Sequence, residues 1–195
     1  MSDEEGPDLA ERFNAAMDAA EDGDLTRARA LLEVVVEAEP GDGEAVLALA
    51  RFEREDGEAA AAEARLVDYL TEVPDDVDAL VELADLRLAR GEPGGAAEVL
   101  REVLDQRPGH WEAAFLLGNA FSDVGAYDEA VRAYNACLQS NPFSADAWFN
   151  MGQAHERTGD RVRAISAWQA YLRAAPHAED RAAVEASIRR LETAE

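Results

Sequence analysis

Residues 125–142, GAYDEAVRAYNACLQSNP, are matched 34 residues further along by residues 159–176, GDRVRAISAWQAYLRAAP. Both stretches begin with glycine, carry alanine five residues later and end with proline. The same spacing runs through most of the chain. The 34-residue step relates Gly23, Gly57, Gly91, Gly125 and Gly159, and likewise Pro40, Pro74, Pro108, Pro142 and Pro176. Such a period indicates stacked copies of one supersecondary unit.

Each unit has the pattern of two helices. Apolar and small residues fall at helical spacing ahead of each glycine, as at Trp148, Met151 and Gly152. The glycine is expected to end the first helix, because positive φ costs least there. Asp24 and Asp160 are placed to cap a second helix, which the proline then stops.

Small residues recur where the two helices of a unit should meet. They lie seven residues before each glycine, at Ala16, Ala50, Ala84, Gly118 and Gly152, and five residues after it, at Ala28, Ala62, Ala96, Ala130 and Ala164. We expect these positions to face each other and let the helices approach closely. The large residues Leu32, Leu66, Leu100, Tyr134 and Trp168 are expected to fill the space toward the neighbouring pair.

This period and residue pattern resemble the tetratricopeptide repeat family, most clearly in LLGNAF with GAYDEAVRAY and in WFNMGQAH with GDRVRAISAW. The resemblance implies an all-α, right-handed α-solenoid of five helix-turn-helix repeats over residues 9–178. Their bounds would be 9–42, 43–76, 77–110, 111–144 and 145–178. Arg12, Glu53 and Arg87 depart from the family, which favours an aromatic or another apolar residue at their positions.

Segments outside the repeats are expected at both ends. Residues 1–8 form an acidic leader that we expect to be flexible. Residues 179–195 carry Val184, Ile188 and Leu191 at helical spacing, which is typical of a C-terminal capping helix with a polar outer face. The alternative is a separate helix that docks on a partner.

Composition excludes several classes of protein. The net charge of −24 opposes binding to nucleic acid or to an anionic membrane surface. The first residues lack a secretory signal, and no apolar run approaches the roughly 18 residues of a membrane span. We therefore predict a cytoplasmic protein. All 18 basic residues are arginine, which fits either GC-rich coding or adaptation to high salt.

No catalytic or metal-binding pattern is evident, so we predict no enzyme activity, no cofactor and no metal. His110, His155 and His177 have no second ligand at metal-binding spacing on a common helix face. Cys137 is expected to be a buried structural thiol. Asp75 and Asp76 follow Pro74, where helix capping explains them better than acid–base catalysis.

The resemblance also implies a concave groove lined by the first helices of successive repeats. The residues at the groove positions of the family form an apolar row beside hydrogen-bonding side chains, and this arrangement suits a bound peptide or helix. The predicted partner-binding residues are Leu47, Arg51, Arg54, Val81, Asp85, Phe115, Asn119, Phe149, Asn150 and Gln153. The predicted function is a non-enzymatic scaffold or adaptor that binds a protein partner. Packing inside the fold is the alternative role of Phe115 and Phe149.

One branch of the family grips the C-terminal carboxylate of heat-shock chaperones with two asparagines and several cations. Asn119 and Asn150 match the two asparagines, but Phe115, Asp180 and Val184 stand where the cations are needed. We therefore reject that specific role for the groove. The two asparagines remain candidates for holding a peptide backbone.

Charge is distributed unevenly along the chain. Residues 1–108 hold 30 acidic and 10 basic residues, a net charge of −20, whereas residues 109–195 hold 12 and 8, a net of −4. The acidic half could steer a partner of basic character, or it could simply solvate alanine-rich helices. A second functional hypothesis also stays open. In it, the protein is a homo-oligomer that assembles through its N-terminal repeat and a neighbour's groove.

Overall fold

The computed structural model describes residues 8–193, and within that range the chain forms eleven α-helices and no strand. The all-α prediction is confirmed. The helices are α1 (Leu9–Glu21), α2 (Leu25–Ala38), α3 (Gly43–Glu55), α4 (Ala59–Glu72), α5 (Val77–Ala89), α6 (Pro93–Gln106), α7 (Trp111–Asp123), α8 (Tyr127–Ser140), α9 (Ala145–Arg157), α10 (Arg161–Ala174) and α11 (Arg181–Thr193). None of these helices is long and apolar enough to cross a membrane. Residues 1–7 of the predicted leader and 194–195 of the predicted capping helix lie outside the described range.

The helix ends follow the sequence signals. The five repeated glycines have φ between 75° and 81°, a region that glycine adopts at little cost. Asp24 and Asp160 accept hydrogen bonds from the backbone N–H groups of Arg27 and Arg163, both at 3.1 Å, so the predicted N-caps are confirmed. Asp76 caps α5 in the same way, through the N–H groups of Asp78 and Ala79. Capping therefore accounts for this carboxylate.

The chain divides into two compact units, which meet in sequence at Leu86 and Arg87. In the first unit, Leu32 and Leu66 are fully buried, as are the small residues Ala28 and Ala50. Glu53 stands at a position where an aromatic residue was expected, and it is also buried. Its carboxylate receives three hydrogen bonds from the Arg65 guanidinium, with the shortest N–O distance 2.6 Å. An ion pair thus replaces aromatic packing in this hairpin.

The second unit contains glycines at two of the small-residue positions. A Cβ added at Gly118 would lie under 3.0 Å from the Tyr134 ring, and one at Gly152 under 3.0 Å from the Trp168 ring. These rings therefore lie across the first helix of their own hairpin. They also pack toward the neighbouring helices, because Tyr134 shares a core cluster with Met151 and Trp168 shares one with Val184. Glycine is required here because an aromatic ring, not alanine, approaches the first helix.

Helix α11 closes the end of the second unit. Its buried residues Val184 and Ile188 pack against Trp168 and Tyr171 of α10. The Tyr171 hydroxyl donates a 2.5 Å hydrogen bond to Asp180, just ahead of α11. This packing gives α11 an apolar inner face, as the capping-helix interpretation requires.

Candidate functional site

The predicted groove residues lie on the first helices of their hairpins, spaced so that they share a helix face. In the first unit, α3 carries Leu47, Arg51 and Arg54, and α5 carries Val81 and Asp85. In the second unit, α7 carries Phe115 and Asn119, and α9 carries Phe149, Asn150 and Gln153. The predicted site thus consists of two sets of residues, one in each unit.

In the first unit, salt bridges join α3 to α5. Arg51 Nε donates to Glu82 Oε2 at 2.9 Å, and Arg54 Nη1 donates to Asp85 Oδ2 at 2.5 Å. Arg54 Nη1 also lies 3.5 Å from Glu82 Oε1. The two arginines predicted to orient a partner are therefore already held by carboxylates of the chain itself. Leu47 is half-buried and Val81 is 8% exposed, so Val81 offers little surface to a ligand.

Glu82 is a groove-face residue that the sequence reasoning missed. A spacing of 31 residues could have revealed it, because this spacing links Arg51 to Glu82 and Arg54 to Asp85. The same spacing links Asn119 to Asn150 in the second unit. A spacing of 31 is three residues short of the 34-residue repeat. It therefore links a residue on the first helix of one hairpin to a residue about one turn earlier on the first helix of the next hairpin. Polar residues at this offset therefore predict links between neighbouring first helices.

The second unit carries a polar cluster in place of these salt bridges. Asn119 Oδ1 accepts hydrogen bonds from the Tyr134 hydroxyl at 2.9 Å and from Asn150 Nδ2 at 3.0 Å. Ser122 Oγ lies 3.2 Å from the same hydroxyl. Burial raises the pKa of Tyr134, so the hydroxyl stays protonated as a donor. Within residues 8–193, Asn119 Nδ2 and Asn150 Oδ1 form no hydrogen bond and remain able to bind a peptide backbone.

The two groove phenylalanines are packed on one side and exposed on the other. The Phe115 ring centroid lies 6.1 Å from that of Tyr134, and the Phe149 centroid lies 5.2 Å from that of Tyr171. Both phenylalanines are half-buried. They therefore support their hairpins and also present apolar surface, and their contact with a ligand stays a prediction.

A cavity of about 270 Å³ opens beside Phe149, between α9 and α11. Phe149, Trp168 and Val184 form apolar walls, while Gln153, Glu156 and Asp180 supply polar ones. Arg190 pairs with Glu156. The hydrogen bond to Asp180, together with burial, raises the pKa of Tyr171 to about 12. The family pattern placed Asp180 and Val184 at groove positions, but it did not predict this cavity.

Comparison with known families identifies the repeat. Two tetratricopeptide repeat models match the chain, one at residues 19–84 and the other at residues 81–136 and 115–179. The chain belongs to the tetratricopeptide repeat (TPR) family. Proteins built from TPR repeats are generally non-enzymatic scaffolds for protein–protein interactions.

Solved structures of other TPR proteins share the fold of this TPR chain. MamA superposes with a TM-score of 0.75 at 20% identity, covering 90% of this chain and 94% of MamA. YrrB, described as a TPR protein with an unusual peptide-binding site, gives 0.72 at 19% identity, with 92% of each chain covered. A TPR protein from Parabacteroides merdae gives 0.79 at 19% identity, covering 94% of this chain and 73% of that protein. No curated protein matches the sequence.

The histidines of this TPR chain that the structure places have structural positions. Within residues 8–193, no three His, Cys, Asp or Glu residues are grouped to hold a metal ion. His110 caps α7, where its Nδ1 accepts a hydrogen bond from the N–H of Ala113. His155 is 7% exposed, so most of its side chain is packed inside the fold.

Cys137 provides a test of packing in this part of the TPR chain. The residue is fully buried, and burial raises the pKa of its thiol. We expect a thiol-specific reagent at pH 8 to label Cys137 about 100-fold more slowly in the native protein than in denaturant, because labelling requires the structure to open. The control Cys137→Ala with Gln139→Cys moves the thiol to an exposed site on the same helix and should be labelled rapidly. Equal rates for the two proteins would contradict the burial.

Proposed function

We propose that the chain is a non-enzymatic scaffold that binds a peptide segment of a partner protein on the groove face of α7 and α9. The cavity beside Phe149 carries this proposal, because it combines an apolar wall with polar groups at the position predicted for ligand contact. The five predicted residues of the first unit are proposed as a secondary surface, since Arg51 and Arg54 are held in salt bridges.

The groove face of the second unit has two kinds of group that a peptide requires. The exposed sides of Phe115 and Phe149 can bury apolar side chains of a ligand. The amide groups of Asn119 and Asn150 offer a donor and an acceptor that match a peptide unit. The polar cluster holds both amides in place, which lowers the entropic cost of binding.

Charge at the cavity favours a basic side chain in the ligand. The carboxylates of Glu156 and Asp180 line it, and Arg190 pairs with Glu156. Asp180 accepts a hydrogen bond from the neutral hydroxyl of Tyr171, and this contact does not neutralise the negative charge of the Asp180 carboxylate. A partner arginine or lysine next to an apolar residue therefore suits the cavity best.

The proposal is tested by blocking the cavity without cutting into the core. Gln153 is exposed and lines the cavity, so Gln153→Arg should fill it while the hairpin remains folded. We expect peptides selected from a random displayed library against the native protein to bind this variant at least about tenfold more weakly. Truncating Phe115 or Phe149 is a poorer test, because it would also remove packing on Tyr134 or Tyr171.

Gln169→Arg is the matched control, since Gln169 is exposed on α10 and does not line the cavity. It adds the same charge and should leave binding unchanged. If both variants bind the selected peptides as the native protein does, the groove proposal fails. Light scattering on the same samples distinguishes a scaffold from the self-assembly alternative, which requires a mass well above 21.1 kDa.

A further inference from the structure

A second and larger cavity lies elsewhere in the unit that begins at Arg87. It has a volume of about 590 Å³, is open to solvent and is lined by residues of α8, α9 and α10. On α9 it is lined by Trp148, Met151 and His155, which occupy a different face from Phe149 and Gln153. The volume falls within the range of roughly 300–1,000 Å³ that is typical of ligand pockets. This cavity is therefore separate from the groove site proposed above.

Part of the lining of this cavity differs from the same positions in the first unit. Three 34-residue periods earlier, Arg65 and Asp68 occupy the positions of Ala167 and Ala170. Arg65 reaches across to Glu53, which holds the position of His155, and both Arg65 and Asp68 line a cavity of about 210 Å³ there. In the second unit, the two alanines leave this space open. Small side chains at these two positions therefore contribute to the larger cavity.

The charged residues that line this cavity are Arg163 and Arg173, and no carboxylate lines it. This is unusual surface for a chain with a net charge of −24. Within residues 8–193, Arg173 forms no salt bridge, whereas Arg163 pairs with Asp160 at 2.7 Å. A guanidinium has five N–H donors, so this one contact leaves Arg163 able to bind another anion.

His155 is a buried polar group that faces the cavity without a partner. Its side chain is 7% exposed, and its ring forms no hydrogen bond within the described residues. Burial lowers the pKa of His155, so the ring is neutral at pH 7 and can both donate and accept a hydrogen bond. Solvent reaches its ring nitrogens, since within residues 8–193 Glu82 Oε1 is the one fully buried side-chain nitrogen or oxygen without a partner. A ligand in the cavity can therefore bind the ring in place of water.

The two arginines set the shape of the ligand. They are ten residues apart on α10, which corresponds to about 15 Å along a helix axis. An extended peptide rises about 3.3 Å per residue, so acidic side chains four residues apart span a similar distance. Between the arginines, Trp148 and Met151 offer an apolar wall for a large side chain.

We propose that this cavity binds an acidic peptide in which a large apolar side chain lies between two carboxylates. The apolar side chain packs against Trp148 and Met151, and the carboxylates bind Arg163 and Arg173. His155 hydrogen-bonds to the peptide backbone. The chain would then have two recognition sites of opposite preference, with the groove taking a basic peptide and this cavity an acidic one.

A matched pair of peptides tests the charge requirement. The probe is acetyl-Glu-Ala-Phe-Ala-Glu-amide, and its neutral counterpart replaces both glutamates with glutamine. We expect the acidic probe to bind at concentrations below about 1 mM in isothermal titration calorimetry, and at least tenfold more tightly than the neutral peptide. Failure of the acidic probe to bind, or equal affinity of the two peptides, would overturn the proposal.

Variants locate the binding to this cavity. Arg173→Gln should weaken binding of the acidic probe about tenfold. Arg132→Gln is the control, because Arg132 is exposed on α8 outside the cavity, and it should leave the affinity unchanged. The double variant Ala167→Arg with Ala170→Asp introduces the residues found in the first unit and should abolish binding, with circular dichroism confirming its helicity. Equal losses for Arg173→Gln and Arg132→Gln would show nonspecific attraction and reject the site.

The groove variant Gln153→Arg separates this proposal from the proposed function. It should leave binding of the acidic probe intact, because Gln153 does not line this cavity. Loss of probe binding in Gln153→Arg would place the acidic peptide in the groove and contradict the present inference.

Discussion

Replacing Arg65 with methionine is expected to lower the free energy of unfolding by about 3 kcal/mol, because the variant leaves the Glu53 carboxylate buried without its counter-charge. The Glu53 side chain is 2% exposed, and Arg65 supplies the hydrogen bonds that it receives. Surrounding structure cannot replace those donors without moving α3 or α4. Urea denaturation followed by far-ultraviolet circular dichroism measures the effect.

Two further variants show whether the loss comes from the buried charge. Arg132→Met removes an exposed arginine whose salt bridge to Glu129 should contribute at most about 1 kcal/mol. Glu53→Leu combined with Arg65→Met removes both charges and should be more stable than Arg65→Met alone. If Arg65→Met is no more damaging than Arg132→Met, the ion pair does not support the first unit.

The second large effect is expected at Gly118, where an alanine Cβ would meet the Tyr134 ring at under 3.0 Å. Gly118→Ala should lower the free energy of unfolding by about 1–3 kcal/mol, because the ring must move and disturb the Asn119 hydrogen bond. The loss should appear despite the higher helix propensity of alanine. The same denaturation measurement applies.

Gly94→Ala is the matched control, since Gly94 lies in α6 with no atom within 4 Å of an added Cβ and no positive φ. There, the helix propensity of alanine should raise stability by about 0.5–1 kcal/mol. The two substitutions are chemically identical but should have opposite signs. A stabilising Gly118→Ala would mean that Tyr134 does not lie against α7 as described.

Features that depend on one helix or one turn were predictable from sequence. The glycine and proline series placed the helix ends, because positive φ and a missing N–H are properties of single residues. The caps at Asp24 and Asp160 were predictable for the same reason. Burial of Cys137 followed from its repeat position.

Features that depend on how far a side chain reaches were not predictable in this way. The pairing of Glu53 with Arg65 and of Arg51 with Glu82 requires knowledge of which helix faces which, and at what distance. The groove residues were selected through the family resemblance, which identified their face but not that Arg51 and Arg54 already have partners. The cavity beside His155 was not predictable because the space next to Ala167 and Ala170 becomes apparent only when the packing of α8, α9 and α10 is known.

The central claim is that the face of α9 carrying Phe149, Asn150 and Gln153 binds a partner peptide. Backbone amide chemical shifts, followed during titration with a peptide selected against the native protein, test it most directly. We expect the largest shifts at these three residues and at Asn119 on α7, with little change at Trp148 and His155. Shifts centred instead on Trp148 and His155, or spread evenly over the chain, would contradict it.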